Sequence, residues 1–223
     1  MPTLLVTGAN RGLGLEFARQ YAADGWRVIA GCRDPNTACA LQDLKVEPFA
    51  LDVADPASIK AAAARLDGTK LDLLLHNAAV LEGWGKSLTE TTRDEFERVL
   101  RVNLLGPFDL TRAVLPCLRE GSKIAIMSSG LGSMTNIGSG GFYAYRTSKA
   151  AVNMLGTCLA HEFADRGVAV VLLHPGWVHT DMGGKDAPLD PEGSVRGLRQ
   201  QIEETTLGNS GRFVAWNGEA LAW

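Results

Sequence analysis

The chain has no basic run, no acidic tail and a net charge of only −3 over 223 residues. Such a surface has no field with which to gather a polyanion, so neither nucleic acid nor an anionic membrane is an expected partner. No apolar run approaches the ~20 residues of a membrane span. The opening MPTLLVTGAN has no lysine or arginine, and its apolar stretch is too short for a signal peptide; a cytoplasmic protein is expected. Cysteine is scarce: Cys32, Cys39, Cys117 and Cys158 form no C-x-x-C. The four histidines (His76, His161, His174, His179) are scattered and make no metal-ligand spacing with them. Reduced thiols are expected, with neither a metal site nor a disulfide framework. No repeat and no linker interrupts the chain, which reads as one domain over residues 1–223.

What is present is an alternation. Short apolar runs at Thr3–Thr7, Arg27–Cys32, Val46–Leu51, Leu71–His76, Lys123–Ser128, Val168–His174 and Arg212–Trp216 are separated by segments of helical period. This pattern predicts an α/β fold: a doubly wound parallel sheet of about seven strands, order 3-2-1-4-5-6-7, with helices on both faces. Most of the runs are apolar throughout, as strands covered on both faces must be. The exception, VEPFALD, contains Pro48, which cannot donate to a ladder and belongs on an edge, where that order puts the third strand. In DPASIKAAAARLDG, Asp55 suits a helix N-cap, Pro56 the first turn and Gly68 the stop. Two irregular stretches, Gly130–Phe142 and Gly183–Gly193, are predicted loops over a site, the second a candidate lid.

Three stretches carry chemistry. LLVTGANRGLG runs from a strand into Gly8, Gly12 and Gly14 and then into a helix. Glycines there allow a tight turn and close backbone approach, and the helix start offers free N–H groups to a pyrophosphate. The second strand ends in Cys32-Arg33-Asp34, without the acidic residue directly at its end that would take a ribose 2′-hydroxyl. Arg33, helped by Arg11 in the glycine loop, suits a 2′-phosphate and hence NADP(H), unless Arg33 pairs with Asp34 on the surface. Finally, YAYRTSK holds two tyrosines, of which only Tyr145 stands four residues before Lys149, on the same helical face. A nearby ammonium favours phenolate, so Lys149, together with a cationic nicotinamide, is expected to make Tyr145 a better acid.

These residues bring a family into view. TGANRGLG and Tyr145-x-x-x-Lys149 occur with Asp52-Val53, His76–Ala79, Val102-Asn103, Ser128–Gly132 and Pro175–Thr180 in the order and spacing of the short-chain dehydrogenase/reductase family, which the chain resembles over nearly its whole length. GFYAYRTSKAA, LHPGWVHTDMGG and the ending LAW are most similar to sniffer-type carbonyl reductases and the related C-factor proteins. The resemblance implies NADPH-dependent reduction of a carbonyl compound, with Tyr145 as proton donor and Lys149 also binding the nicotinamide ribose. Ser129, in the family's Ser-x-x-Gly pattern with Gly132, would polarise the carbonyl; Ser128 is its rival by adjacency. Asn103, polar within the apolar helix FERVLRVNLLGPF, resembles the asparagine that holds a relay water, or else marks a kink before Pro107. The cofactor is expected to meet Gly8, Asn10, Arg11, Gly12, Leu13, Gly14, Arg33, Asp52, Val53, Asn77, Tyr145, Lys149, Pro175, Gly176, Val178 and Thr180. Asp52 could equally cap its strand end, and Thr180 a helix. Ala79 stands where the family has glycine, and Ser129 precedes Tyr145 by 16 positions rather than the usual 13. Trp84, Leu131, Met134, Phe142, Trp177 and Met182 are apolar candidates for the pocket, favouring an uncharged aldehyde, ketone or quinone. The resemblance further implies a homodimer through its two long helical segments. A C-factor-type signalling protein with incidental turnover is the alternative; the presence of Asn103, Ser129, Tyr145 and Lys149 favours the enzyme.

Overall fold

Strands form where the chain runs apolar. The computed structural model describes residues 1–223, with β1 (Thr3–Thr7), β2 (Arg27–Cys32), β3 (Glu47–Ala50), β4 (Leu71–His76), β5 (Leu118–Met127), β6 (Ala169–His174) and β7 (Arg212–Ala215). All neighbouring pairs are parallel, in the order β3-β2-β1-β4-β5-β6-β7, as the alternation predicts. The helices are α1 (Gly12–Ala23), α2 (Cys39–Gln42), α3 (Pro56–Arg65), α4 (Arg93–Leu100), α5 (Gly106–Ala113), α6 (Tyr143–Glu162) and α7 (Pro191–Glu203).

Successive residues of a strand point to opposite faces, so each strand feeds two cores. Leu5, Ile29, Leu74, Ile124 and Val170 join side chains of α3, α5 and α6 on one face. Leu4, Val28, Leu73, Ala125 and Val171 join Phe17 and Tyr21 of α1 and Val195, Leu198 and Ile202 of α7 on the other.

The two margins of the sheet are blunted in different ways. Pro48 lies in β3, the four-residue edge strand. At the opposite margin the chain turns back along β7: Leu221 donates its N–H to the Phe213 carbonyl, Ala215 donates to that of Glu219, and the rings of Phe213 and Trp223 stack 5.5 Å apart.

Two elements differ from expectation. β5 begins at Leu118 rather than Lys123, through the polar stretch LREGS, because Leu118 pairs with Leu71 before the register shifts. The segment predicted as one continuous helix around Asn103 is instead α4, a wide π turn over Arg101–Leu105, and α5. Pro107 has no N–H to return to the carbonyl of residue 103, and Gly106 packs so tightly that a Cβ there would lie 2.9 Å from the Val53 carbonyl oxygen.

His76 ends β4 fully buried, its Nε2 2.8 Å from the Thr111 hydroxyl. Burial pushes its pKa down to about 3. The unfolded chain therefore takes up the proton first. The neutral imidazole's contribution is complete above the unfolded value near 6.5 and is lost as pH falls toward 3. At pH 5 this amounts to about 2 kcal/mol. Urea denaturation of the native protein and His76→Asn at pH 7.5 and pH 5 should show the native protein losing about that much more stability than the variant.

Candidate active site

A cleft of about 300 Å³ opens at the carboxyl ends of the central strands. Its walls include Gly8, Asn10, Arg11, Gly12 and Leu13 from the glycine loop, Arg33, Asp52 and Val53 from the ends of β2 and β3, Asn77 after β4, Tyr145 and Lys149 of α6, and Pro175 and Thr180 after β6. Thirteen expected cofactor residues therefore share one cavity. Gly14, Gly176 and Val178 stand behind that wall.

The glycine loop is a cradle with no room for side chains. Gly8 has φ +68° and Gly12 φ +55°, a region most residues avoid. A Cβ on Gly14 would lie 2.2 Å from the Gly8 carbonyl oxygen and 2.5 Å from Asn77 Nδ2. Asn77 locks this turn, donating from Nδ2 to the carbonyls of Thr7 (2.9 Å) and Gly8 (3.3 Å). The Thr7 hydroxyl accepts from the N–H groups of Asn77 and Ala78, both at 3.0 Å. Sequence reasoning missed Thr7, although a hydroxyl directly before the first glycine at a strand end was its signal. Arg11 precedes α1 and provides no side-chain cap, so its side chain leaves the N–H groups of the first turn free.

Arg33 is exposed at the lip of the cleft and forms no ion pair; the Asp34 carboxylate instead accepts from Asn36 N–H (3.0 Å). Arg11 is not free. Its Nη1 lies 3.1 Å from an Asp181 carboxylate oxygen, an exposed pair that links the glycine loop to the loop after β6. The Asp52 carboxylate accepts from Ala54 N–H (2.9 Å), closing the turn after β3 while lining the cleft.

The two serines differ in their partners, and Ser128 is the one that lines the cleft. Ser128 donates to Asn153 Oδ1 at 2.5 Å. Ser129 accepts from Leu131 N–H (3.2 Å), and its side chain pulls the pKa of the Tyr145 phenol down. Tyr145 is only 7% exposed and Lys149 2%. Lys149 Nζ donates to the Met127 carbonyl (2.7 Å) and lies 5.5 Å from the centre of the Tyr145 ring. Burial pushes the Tyr145 pKa up to about 12, against the opposing pull of Ser129, and pushes Lys149 down to about 8. Desolvation thus dominates both groups here, whereas the acidification expected of Tyr145 is that of Lys149 acting together with a cationic nicotinamide.

Asn103 is a clamp. Its Oδ1 accepts from Val80 N–H (2.9 Å), and its Nδ2 donates to the Val80 carbonyl (2.9 Å) and to Ser148 Oγ (3.0 Å). The Ser148 hydroxyl in turn donates to the Tyr145 carbonyl at 2.7 Å. Both amide protons are spent, so the side chain has none left to donate to a relay water.

After β6, Pro175 lines the cleft and accepts the Ser194 hydroxyl on its carbonyl (2.7 Å). Gly176 has φ +83°. Val178 is buried and bridges to Leu189. Thr180 Oγ1 accepts from Gly183 N–H (3.2 Å) in a turn; no helix starts there. The candidate lid is tied at its base, with His179 N–H on the Leu189 carbonyl (2.8 Å), and from Pro191 onward it belongs to α7. Of the apolar pocket candidates, only Met182 lines the cleft, and none is core: Trp84, Met134, Trp177 and Met182 are exposed, Leu131 and Phe142 half-buried.

Residues 2–189 match the family model for short chain dehydrogenase. The chain is 39% identical over 229 aligned residues, covering all of both chains, to 1-hydroxy-2-glutathionyl-2-methyl-3-butene dehydrogenase of Rhodococcus sp. (strain AD45). It is 39% identical over 167 residues to C-signal of Myxococcus xanthus, covering 74% of this chain and 100% of that protein. Among solved structures, it superposes with a TM-score of 0.89 and 35% identity on an NADPH-bound carbonyl reductase from chicken fatty liver, covering 100% of this chain and 99% of the other. With its sheet order, glycine cradle and Ser129–Tyr145–Lys149 cluster in place, the chain belongs to the short-chain dehydrogenase family.

Proposed function

We propose that the protein, as one dinucleotide-binding domain over residues 1–223, reduces an uncharged aldehyde, ketone or quinone to the alcohol with NADPH. The observation that carries this reading is the buried phenol of Tyr145 beside Lys149 on the wall of the cleft. Bound NADPH supplies the hydride. Gly8, Gly12 and the first turn of α1 would hold its pyrophosphate, Arg33 its 2′-phosphate, and Thr180 its carboxamide. The fit rests on the cradle that a Cβ would fill at Gly14 and on an arginine at the lip without a counter-ion.

Ser129 and Tyr145 converge their hydroxyls on the position of the substrate oxygen. The Tyr145 phenol stays protonated across the neutral range, as a donor must, and Ser129 donates toward the developing negative charge. The Lys149 ammonium stabilises the phenolate left behind. Asn103 keeps Tyr145 in place through Ser148 rather than by holding water with its amide. Leu105, Phe108 and Met154, exposed on the π turn, α5 and α6, would be covered in the homodimer that completes this reading.

The test is loss of NADPH absorbance with a panel of small aldehydes, ketones and quinones. Turnover with NADPH supports the reading, and its absence across the panel sinks it. Arg33→Ala should raise KM for NADPH by about tenfold or more while changing that for NADH less than about twofold, since a charge-assisted contact to the 2′-phosphate is worth at least ~1.5 kcal/mol. Equal changes would remove the 2′-phosphate assignment.

A further inference from the structure

Phe142 is the only non-glycine residue with a positive φ, +53°. It occupies the N-cap position of α6, where an extended backbone and a small polar side chain are the rule, and it makes no side-chain cap. A local rule broken this plainly, three residues before Tyr145, points to a use for the ring. The ring meets the edge of Trp84, with centroids 5.1 Å apart and planes at 89°. Trp84 is itself held out from the body, 64% exposed, between Gly83 (φ +75°) and Gly85 (φ +71°).

Both loops start from the cleft. One leaves it at Val80, and the other returns to it at Tyr145. They meet again outside it, where a Cβ on Gly141 would stand 3.9 Å from the Lys86 carbonyl oxygen. Two charged side chains of the Trp84 loop are paired, Glu82 with Arg98 and Lys86 with Glu95, and Glu90 turns to Ser87. An exposed aromatic corner flanked by the paired Glu82 and Lys86 suits a flat, uncharged group, because crossed rings offer a further ring both a face and an edge.

We infer that Trp84 and Phe142 are specificity-determining residues for the proposed reduction, forming an aromatic wall at the rim of the cleft that receives a planar unsaturated substituent on the carbonyl substrate. This rests on the reductase reading, and the left-handed backbone at Phe142 is what turns its ring toward Trp84.

Benzaldehyde and heptanal, equal in carbon count, are suitable probes. In Trp84→Ala and Phe142→Gly, KM for benzaldehyde should rise about fivefold more than KM for heptanal, the change lying in KM rather than kcat. Glycine is at ease at φ +53°, so Phe142→Gly should melt no lower than the native protein. An unchanged benzaldehyde-to-heptanal ratio in both variants overturns the inference. So does a Phe142→Gly protein that melts lower and loses both activities alike, which would mark a structural role. Failure to reduce either aldehyde, or anything in the panel, counts against the reductase reading. Calorimetric binding of benzyl alcohol and heptan-1-ol then decides the wall without turnover: a preference for the aromatic alcohol that both variants abolish supports it, and equal binding refutes it.

Discussion

Replacing Tyr145 with phenylalanine is expected to lower kcat for carbonyl reduction by about 10³-fold, within the range of a positioned general acid. The ring is buried against its neighbours, and phenylalanine keeps that volume, so nothing collapses. Ser129 retains the Leu131 N–H on its hydroxyl, and Lys149 retains the Met127 carbonyl. What disappears is the proton that the phenol would transfer to the substrate oxygen. NADPH affinity by fluorescence titration should stay within about twofold, because the pyrophosphate and 2′-phosphate contacts lie elsewhere in the cleft. A Tyr145→Phe enzyme with more than about a tenth of the native kcat would show that another group delivers the proton.

Gly14→Ala should be the most damaging change to the cofactor end of the cleft. The new methyl would sit 2.2 Å from the Gly8 carbonyl oxygen, and that carbonyl cannot swing aside because Asn77 Nδ2 binds it and the Thr7 carbonyl together. The turn must open, at a cost of about 3 kcal/mol or more, which for a domain of this size lowers Tm by roughly 6–12 °C. NADPH binding should weaken by more than about 100-fold, since the amides that define the anion site move with the turn. Gly12→Ala is the internal control. Its methyl would meet only the Thr180 side chain, at 3.8 Å, leaving backbone strain alone, of about 1 kcal/mol. Differential scanning calorimetry and NADPH titration of both variants should rank Gly14 well above Gly12; equal effects would mean that the cradle is not close-packed.

Much of this was legible from residue order. Pro48 identified the edge strand, Asp55 and Pro56 the start of α3, and Gly8, Gly12 and Gly14 the turn into α1, because each acts through its own backbone chemistry. What stayed hidden depends on partners distant in sequence. Asn103 reads as a polar intruder in a helix until Val80, 23 residues away, and Ser148, 45 away, are seen to use up its amide. Arg11 reads as a free cation until Asp181 comes alongside from 170 residues away. Ser129 is preferred over Ser128 in the sequence through its spacing to Gly132, but that Asn153 takes up the Ser128 hydroxyl, 25 residues away, is visible only in the fold. The rise that burial imposes on the Tyr145 phenol stayed hidden for a related reason: the number of intervening residues reports how near Lys149 is, but not how completely both groups leave water.

Neither flank of the sheet offers an unbroken row of donors. On one side a proline interrupts the row of donors that an incoming strand would need; on the other, the returning backbone at Glu219 and Leu221 has already taken up those positions. Strand addition and edge-to-edge aggregation are thereby discouraged in the folded protein. Any lasting association between copies is left to its helices, and stickiness through the sheet becomes a property of partly unfolded chains alone.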